Sequence, residues 1–291
     1  MIDKLKVTLV QFEPVPKNNK KKNLEFHLNK IDELASTGIQ LIVFPEMSLT
    51  GFFVHQQNER KRHWEEDAET IKGEMIQAIV NKSKINNCYV VCGMAERDER
   101  EFDIYNSTIL IGPEGVIGVT RKLHLPSAEK LYYKKGDVGE VYSTPIGKIG
   151  MLICYEAFFP EVSRILAKRG AEILIAPSSI WKGGQSGGIG AGESKQRLFS
   201  NTPLIRAIEN QAHFLMCNAA GGQFLGEAFG RWERFGESKI VNAQGEVLAE
   251  SLSNDTEDIT AILTKTSLLK SRSDYMFFND REPMKYGDLV K

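Results

Sequence analysis

The sequence has few cysteines, almost no net charge and no long hydrophobic run, and each of these absences excludes a class of protein. The four cysteines form neither a CxxC pair nor a framework spacing, so we expect free thiols in a reducing cytoplasm (Cys88, Cys92, Cys154 and Cys217). With 37 basic and 38 acidic side chains, the formal net charge of −1 gives no electrostatic case for a nucleic-acid or membrane partner. The apolar stretch near the amino terminus is too short for a signal peptide, and no later stretch is long enough to span a membrane. A cytoplasmic protein is therefore expected.

Patterns that bind metals or phosphates are lacking as well. The histidines show no ligand spacing, so neither a metal nor another cofactor is expected (His27, His55, His63, His124 and His213). The segment Gly183–Gly192 contains six glycines in ten residues, but no Gly-Lys-Ser or Gly-Lys-Thr follows it, which argues against a phosphate-binding loop. This composition favours a mobile surface loop.

Short β-branched stretches alternate with helical patterns along the whole chain, which indicates an α/β protein with mixed sheets. The main predicted strands are Val7–Gln11, Ile39–Phe44, Tyr89–Met94, Asn106–Ile111, Val116–Thr120, Ile149–Cys154, Glu172–Ala176, His213–Asn218, Ser238–Asn242, Val247–Ala249 and Ile259–Leu263. The predicted helices lie around Leu24–Leu34, Ile71–Val80, Glu161–Arg169 and Pro203–Asn210. Two sheets packed face to face, with the helices outside, would use these elements. Without a linker or repeat, the sequence favours one domain over residues 1–291.

Three of the predicted strands end at polar residues. An apolar strand leads through a proline to Glu46, and a second strand leads to Lys122. A third, almost entirely apolar, stops at Cys154, ahead of a helix that begins near Pro160. Sheet proteins place their chemistry at such strand ends, although any one of these residues alone would be an ordinary surface residue.

A cysteine at a strand-to-helix corner exposes its sulfur and lies near free backbone N–H groups. A free thiol has a pKa of about 8.5, so it needs a base or a positive neighbour to become a strong nucleophile. Glu46 and Lys122 supply these groups if the fold brings them to Cys154, which the spacing alone does not establish.

Three segments together resemble the signatures of the nitrilase (carbon–nitrogen hydrolase) superfamily, in the family's order and at its usual spacing. They are Phe44-Pro45-Glu46, Arg121-Lys122-Leu123-His124-Leu125 and Cys154-Tyr155-Glu156-Ala157-Phe158-Phe159-Pro160-Glu161. Two further stretches are similar to the family: Glu129-Lys130 before Gly136-Asp137, and Phe235-Gly236-Glu237-Ser238-Lys239-Ile240 before Gly245. The resemblance covers nearly the whole chain and is greatest to the amidase and carbamoyl-hydrolase branch.

This resemblance implies a four-layer α-β-β-α sandwich that pairs through its helical face as a homodimer or larger homo-oligomer. It also implies the roles of the site residues. Cys154 would be the nucleophile and Glu46 the general base. Lys122 would stabilise the tetrahedral oxyanion together with the backbone N–H of Tyr155. Glu129 matches the second glutamate that many members place beside the lysine.

The activity that follows is hydrolysis of an amide or N-carbamoyl group through a Cys154 thioester, with release of ammonia or an amine. Many amidases of the superfamily carry arginine four residues after the nucleophile, where it holds a substrate carboxylate, but this sequence has Phe158 there. With Trp181, Phe158 would form an aromatic pocket wall that favours apolar or neutral substrate groups. Both rings could equally belong to the core.

Two alternatives stay open at this point, and a third, a serine mechanism, rests on a match that we take as a coincidence. The same residues could hydrolyse a nitrile, or the chain could be a non-catalytic partner subunit that keeps the fold. A glycine-rich stretch around Ser186 is similar to the signature of the amidase-signature serine hydrolases, although Gln185 replaces the first serine of that signature. Separate substitutions of Ser186 and Cys154 distinguish the serine from the cysteine mechanism.

Overall fold

Six strands form the first sheet of the computed structural model, which describes residues 1–15, 19–52, 63–184, 192–224, 227 and 230–290. In order across the sheet, they are β15 (Glu257–Thr264), β1 (Lys4–Gln11), β2 (Leu41–Val43), β3 (Tyr89–Asp98), β4 (Asp103–Gly112) and β5 (Gly115–Arg121). The strands β1, β2 and β3 are parallel, and the outer pairs are antiparallel.

A second six-stranded sheet repeats this arrangement. Its order is β14 (Val247–Glu250), β13 (Lys239–Val241), β10 (His213–Asn218), β8 (Ile173–Ser178), β7 (Gly147–Met151) and β6 (Val141–Thr144). Here β10, β8 and β7 are parallel, and antiparallel strands flank them. A small third sheet has the order β11 (Gly222–Phe224), β12 (Arg231–Arg234) and β9 (Trp181–Gly184).

Helices cover the outer face of each large sheet. The helices are α1 (Lys20–Ser36), α2 (Glu74–Asn86), α3 (Pro160–Lys168), α4 (Gly192–Asn210) and α5 (Lys265–Asp274). Single helical turns lie at His63–Asp67, Ser127–Leu131, Cys154–Phe158, Pro283–Lys285 and Gly287–Val290. None of the helices in the described part of the chain combines the length and the apolar composition needed to cross a bilayer.

Three apolar layers hold the sandwich together. Between the sheets, side chains of alternating strand positions such as Val7 and Ile175 form one core. The opposite face of the first sheet packs on α1 and α2 through residues such as Ile31 and Ile76. The second sheet packs on α3 and α4 through residues such as Leu166. The layers are thus α-β-β-α, which confirms the predicted four-layer fold.

Several element boundaries differ from the prediction. The strand predicted to run to Cys154 stops at Met151, because Cys154 begins a helical turn with φ of +54°, which no strand residue adopts. The helix predicted to start at Pro203 begins at Gly192 and contains the proline. Burial of one helix face, which includes Phe199, outweighs the hydrogen bond that the proline cannot donate.

The described residues of the glycine-rich segment Gly183–Gly192 belong to regular elements, whereas a loop was predicted. Gly183 and Gly184 belong to β9, and Gly192 begins α4. Residues 185–191, which include Ser186, lie outside the described residues. The third sheet was not predicted, since strands of three or four residues give almost no periodic pattern. The helix α5 was not predicted either.

Candidate active site

The predicted polar residues Glu46, Lys122 and Glu129 meet at one end of the sandwich. The Nζ atom of Lys122 lies 2.7 Å from Oε1 of Glu46, and 3.0 and 2.9 Å from the two carboxylate oxygens of Glu129. Lys122 is fully buried, and the two glutamates are almost so. A buried ammonium is therefore held by three carboxylate oxygens, and both glutamates share it.

A close backbone contact positions Glu46 beyond the end of β2. The N–H of Phe44 still bonds to Val91 on β3 at 2.8 Å, after which the chain turns away. A Cβ atom on Gly93 would lie 2.9 Å from the Cα of Glu46 and 2.5 Å from the backbone nitrogen of Met47. Glycine at position 93 thus lets this turn lie directly on β3.

Asn106 is a member of this cluster that the sequence analysis missed. Its Nδ2 donates to Oε1 of Glu46 at 2.7 Å and to Oε2 of Glu129 at 3.3 Å. Its carbonyl oxygen accepts the backbone N–H of Lys122 at 2.8 Å. The feature that could have identified Asn106 is its amide side chain at a buried position within strand β4. Asn106 fixes the lysine and both glutamates relative to one another.

Cys154 lies at the start of the single helical turn Cys154–Phe158, named here the nucleophile turn. The buried carboxylate of Glu156 accepts the N–H of Ile153 at 2.6 Å and the N–H of Leu123 at 2.8 Å. Glu156 consequently connects the nucleophile turn, which follows a strand of the second sheet, with Leu123, which follows a strand of the first sheet. The backbone N–H of Ser179, just after β8, acts to lower the pKa of the Cys154 thiol, against the larger effect of burial.

Backbone N–H groups are available at the start of the nucleophile turn. Its first internal bond runs from the N–H of Glu156 to the carbonyl of Ile153 at 3.0 Å. The N–H groups of Cys154 and Tyr155 precede that bond and so have no acceptor within the turn. The Tyr155 side chain points outward and is 38% exposed. Its backbone, not its ring, can therefore face a reacting group beside Cys154.

Mutual electrostatics set the protonation states of the cluster. Burial opposes the charge on Lys122, but the charges of Glu129 and Glu46 outweigh it and raise the Lys122 pKa well above its usual range. Burial raises the pKa of Glu129 to about 7, against the lowering effect of Lys122. Burial, followed by the charge of Glu46, raises the pKa of Cys154 well above that of a free thiol, so the resting sulfur is protonated.

The two aromatic residues predicted to line the pocket lie in separate aromatic groups. The Trp181 ring meets Phe52 and Trp232 edge-on, at centroid distances of 6.2 and 6.4 Å. Phe158 instead packs against the core beneath the nucleophile turn, and its ring meets that of Tyr155 at 6.0 Å. Within the described ranges, no three His, Cys, Asp or Glu side chains are placed to hold a metal ion.

Comparison with known proteins points to one family. The family model described as "Carbon-nitrogen hydrolase" matches residues 6–268. A protein named nitrilase from Pyrococcus abyssi is 30% identical over 230 residues, which is 78% of this chain and 77% of that protein. An (R)-stereoselective amidase from Pseudomonas sp is 30% identical over 91% of this chain and 88% of its own length. The crystal structure of a carbon–nitrogen hydrolase from Helicobacter pylori G27 superimposes with a TM-score of 0.86 at 25% identity, covering 99% of both chains.

Proposed function

This chain belongs to the carbon–nitrogen hydrolase family, and on that premise we propose that it hydrolyses an amide or N-carbamoyl group through a thioester on Cys154. The family and its amidase relatives make the reaction a hydrolysis of carbon–nitrogen bonds other than peptide bonds. The observation that carries the cysteine mechanism is the buried Lys122 ammonium, shared by Glu46 and Glu129 and electrostatically linked to the Cys154 sulfur.

Attack on the substrate requires a base, because the resting thiol is protonated. Oε2 of Glu46 is buried and forms no hydrogen bond with the described residues, so it is free to take this proton. As the Cys154 sulfur bonds to the carbonyl carbon, negative charge develops on the carbonyl oxygen. The Lys122 ammonium and the Tyr155 N–H stabilise that oxygen, as preorganised donors do in acyl transfer.

Collapse of the tetrahedral intermediate breaks the carbon–nitrogen bond. Protonated Glu46 gives its proton to the departing nitrogen, and ammonia or an amine leaves while the acyl group stays on the sulfur. Glu46 then takes a proton from water, whose oxygen attacks the thioester carbon. The carboxylic acid is released, or a carbamic acid from an N-carbamoyl substrate, and the thiol regains its proton. Glu129 keeps Lys122 in place throughout.

Replacement of the sulfur tests this mechanism. We expect Cys154→Ala to lower turnover of short amides by more than about 10³-fold, with an unchanged circular dichroism spectrum. Cys154→Ser should be nearly as inactive, because a carboxylate is a poor base for an alcohol. Cys92→Ala is the matched control, since it removes a buried thiol from a strand of the first sheet. A Cys154→Ala enzyme that retained a tenth of wild-type turnover would contradict the proposal.

Two other functions are separated from the proposed one by direct assays. Nitrile hydrolysis by the same residues is a second candidate function, because one relative is named nitrilase. Ammonia release measured across short amides, N-carbamoyl compounds and nitriles ranks the three substrate classes. A non-catalytic partner subunit would give no release from any of them. Iodoacetamide labelling followed by peptide mapping then tests whether Cys154, and not the other thiols, is the reactive one.

Exposed apolar side chains on the helical layer of the second sheet support a homodimer. Ile165 of α3 and Leu198, Ile205 and Ile208 of α4 are between 36% and 51% exposed. A second copy of this chain would cover them by placing the two helical layers together. We also propose that the protein works in the cytoplasm, where its four free thiols stay reduced.

A further inference from the structure

The chain around Glu46, the proposed base, is supported by α1, a helix on the outer face of the first sheet. His27 of α1 is fully buried and contacts the chain on both sides of that glutamate. Two residues before Glu46, the Phe44 ring lies 4.0 Å from the His27 ring between centroids, at an angle of 32°. Two residues after it, Oγ of Ser48 lies 3.0 Å from Nε2 of His27. One side chain of an outer helix thus contacts both flanks of the base.

The hydrogen bonds of His27 determine which ring nitrogen carries the proton. Nδ1 lies 2.6 Å from the backbone carbonyl oxygen of Asn23, and a carbonyl oxygen can only accept, so Nδ1 is protonated. Burial lowers the pKa of His27 to about 4, so the ring is neutral near pH 7 and Nε2 has a free lone pair. This lone pair accepts the Ser48 hydroxyl, because Nε2 is closer to Oγ than the carbonyl oxygen of Gly93, which lies 3.5 Å away.

Because Ser48 donates its proton to His27, its oxygen can accept a backbone N–H from β3. The N–H of Gly93 donates to it at 3.3 Å, and the carbonyl oxygen of the same glycine accepts the N–H of Leu49 at 3.0 Å. Two residues further along β3, the N–H of Ala95 donates to Oγ1 of Thr50 at 2.9 Å. The two hydroxyls therefore pair with N–H groups of β3 beyond the end of β2, and they fix this segment to the strand.

Gly93 is also the residue on which the backbone of Glu46 lies. A Cβ atom at this glycine would be 2.9 Å from the Cα of Glu46, which is closer than packed atoms come. A continuous series of contacts thus leads from His27 through Ser48 and Gly93 to the backbone of the base.

The direction of the free oxygen of Glu46 depends on this backbone. Oε1 is held by Lys122 and by Asn106, each at 2.7 Å. Oε2, the oxygen proposed to take the thiol proton, has no hydrogen bond with the described residues. A shift of the backbone therefore turns Oε2 about the fixed Oε1. Since proton transfer requires hydrogen-bond distance, a small rotation is enough to slow it.

From these contacts we propose that His27 is a positioning residue, which holds the backbone at Glu46 so that Oε2 points towards the Cys154 sulfur. Its ring packs on Phe44, and its Nε2 orients the Ser48 hydroxyl. His27 acts through Glu46 and takes no part in the chemistry itself. The inference rests on the proposed function, in which Glu46 is the base, and it extends the site to a helix outside the first sheet.

Three single variants test this role, with the short amide that releases ammonia fastest as substrate. His27→Phe keeps a ring against Phe44 but removes the acceptor of the Ser48 hydroxyl, and Ser48→Ala removes the hydroxyl itself. We expect each to lower kcat about tenfold and to change KM less than about twofold, because the base acts after the substrate has bound. His27→Gln places an amide oxygen near the position of Nε2 and should restore kcat to within about threefold of the wild type.

A double variant tests whether the two residues act through one hydrogen bond. His27→Phe combined with Ser48→Ala should then lower kcat about tenfold, as either single variant does. Independent effects would multiply to about 100-fold and would contradict the proposal. Leu34→Ala is the control for lost stability, since Leu34 is a buried residue of α1 two turns further along. It should lower the melting temperature at least as much as His27→Phe and leave kcat unchanged.

The rate of Cys154 alkylation measures the base without turnover. Iodoacetamide reacts with the thiolate, which forms when Glu46 takes the thiol proton. His27→Phe and Ser48→Ala should therefore be labelled at Cys154 about tenfold more slowly than the wild type at the same pH. Leu34→Ala should be labelled at the wild-type rate. Ser48→Ala keeps the test decisive where His27→Phe does not fold, because it removes a single buried oxygen.

The positioning proposal and the cysteine mechanism fail separately. A folded His27→Phe or Ser48→Ala variant with wild-type kcat and labelling rate, or a raised KM at normal kcat, would overturn the role of His27 alone. An active Cys154→Ala enzyme would overturn the cysteine mechanism, whatever the effect of substitutions at His27.

Discussion

Lys122 combines a positive charge with complete burial, which would strongly destabilise an isolated side chain. The protein offsets this cost with hydrogen bonds to Glu46 and Glu129, and Asn106 in turn donates to both carboxylates. Each partner restricts the others, so the ammonium has almost no freedom to move. This rigidity suits the proposed role of Lys122 as a donor that stabilises charge as it develops.

Lys122→Met therefore tests the oxyanion role at the scale of one residue. We expect kcat to fall about 10²–10³-fold, since methionine keeps the length of the side chain but cannot stabilise the oxyanion. Steady-state kinetics on a short amide measure this, with the exposed Lys130→Met as a control. A raised KM at normal kcat would instead make Lys122 a substrate anchor.

Glu129 gives the protein a pH dependence of known sign. Burial raises its pKa in the folded protein from an ordinary 4.5 to about 7. Between these values the folded state keeps a proton that the unfolded state releases, so this contribution to stability is full below about pH 4.5 and is lost as the pH rises towards 7. Glu129→Gln removes the titration.

The melting temperature of the wild type, relative to Glu129→Gln, should accordingly fall by at least about 3 °C between pH 5 and pH 8. Differential scanning fluorimetry at four pH values across this range measures it. The exposed Glu114→Gln should show a constant difference from the wild type. A constant difference for Glu129→Gln as well would contradict the raised pKa.

Residues at strand ends were predictable, and residues defined by their surroundings were not. Glu46 and Cys154 follow apolar runs and Lys122 follows a predicted strand, which marks them in the sequence. Asn106 lies within a strand, and only its contacts with Glu46 and Glu129 reveal that it belongs to the site. Such information exists only once the chain has folded.

At the scale of elements, the nucleophile turn and the end of β5 depend on each other through Glu156. Its carboxylate accepts the N–H group of Ile153, just after β7 of the second sheet, and the N–H group of Leu123, just after β5 of the first sheet. The bond from Ile153 is buried and the bond from Leu123 is partly buried, so water cannot fully replace them. Glu156 thus links the position of Cys154 to that of Lys122.

Glu156→Gln should disrupt that arrangement, since one amide oxygen and one NH₂ group cannot accept both N–H groups. We expect a loss of about 1–3 kcal/mol in the free energy of unfolding and a fall in kcat of at least about tenfold. Urea unfolding and amide hydrolysis measure the two effects, with the exposed Glu161→Gln of α3 as control. A variant with a normal kcat would show that Glu156 supports folding but not catalytic geometry.

Long periodic elements were predictable, and their ends were less so. The strand His213–Asn218 was predicted with its observed bounds, because its apolar run is sharply limited. The predicted start of α4 was wrong because the prediction placed Pro203 in the first helical turn, where proline is most often found. The start of α4 depends on burial in the folded protein, which the local sequence does not show.

At the scale of the whole molecule, the four layers were predictable from the family resemblance, whereas the order of strands depends on long-range pairing. β1, for example, pairs with β15 near the other end of the chain. Nothing in the local pattern of either strand specifies that partner. The helical layer of the second sheet also presents apolar residues that a single copy leaves exposed.

The proposed homodimer predicts that Ile205→Glu shifts the protein to a monomer, because a charge cannot be buried without a partner at the interface. Size-exclusion chromatography with light scattering measures the mass. Ile85→Glu is the control, since Ile85 is an exposed residue of α2 on the opposite helical layer. A wild-type monomer, or a dimer that survives Ile205→Glu, would contradict pairing through this face.

The residues of the proposed site come from both sheets, so catalytic activity shows whether the two sheets have packed together. Glu46 and Lys122 follow strands of the first sheet, and Cys154 follows a strand of the second. A denatured or partly folded chain could form each sheet's helices and strands and still hold the sulfur away from its base. During refolding, turnover should hence return only after the sheets have closed on each other, later than the secondary structure seen by circular dichroism. On mild denaturation, it should be the first property to disappear.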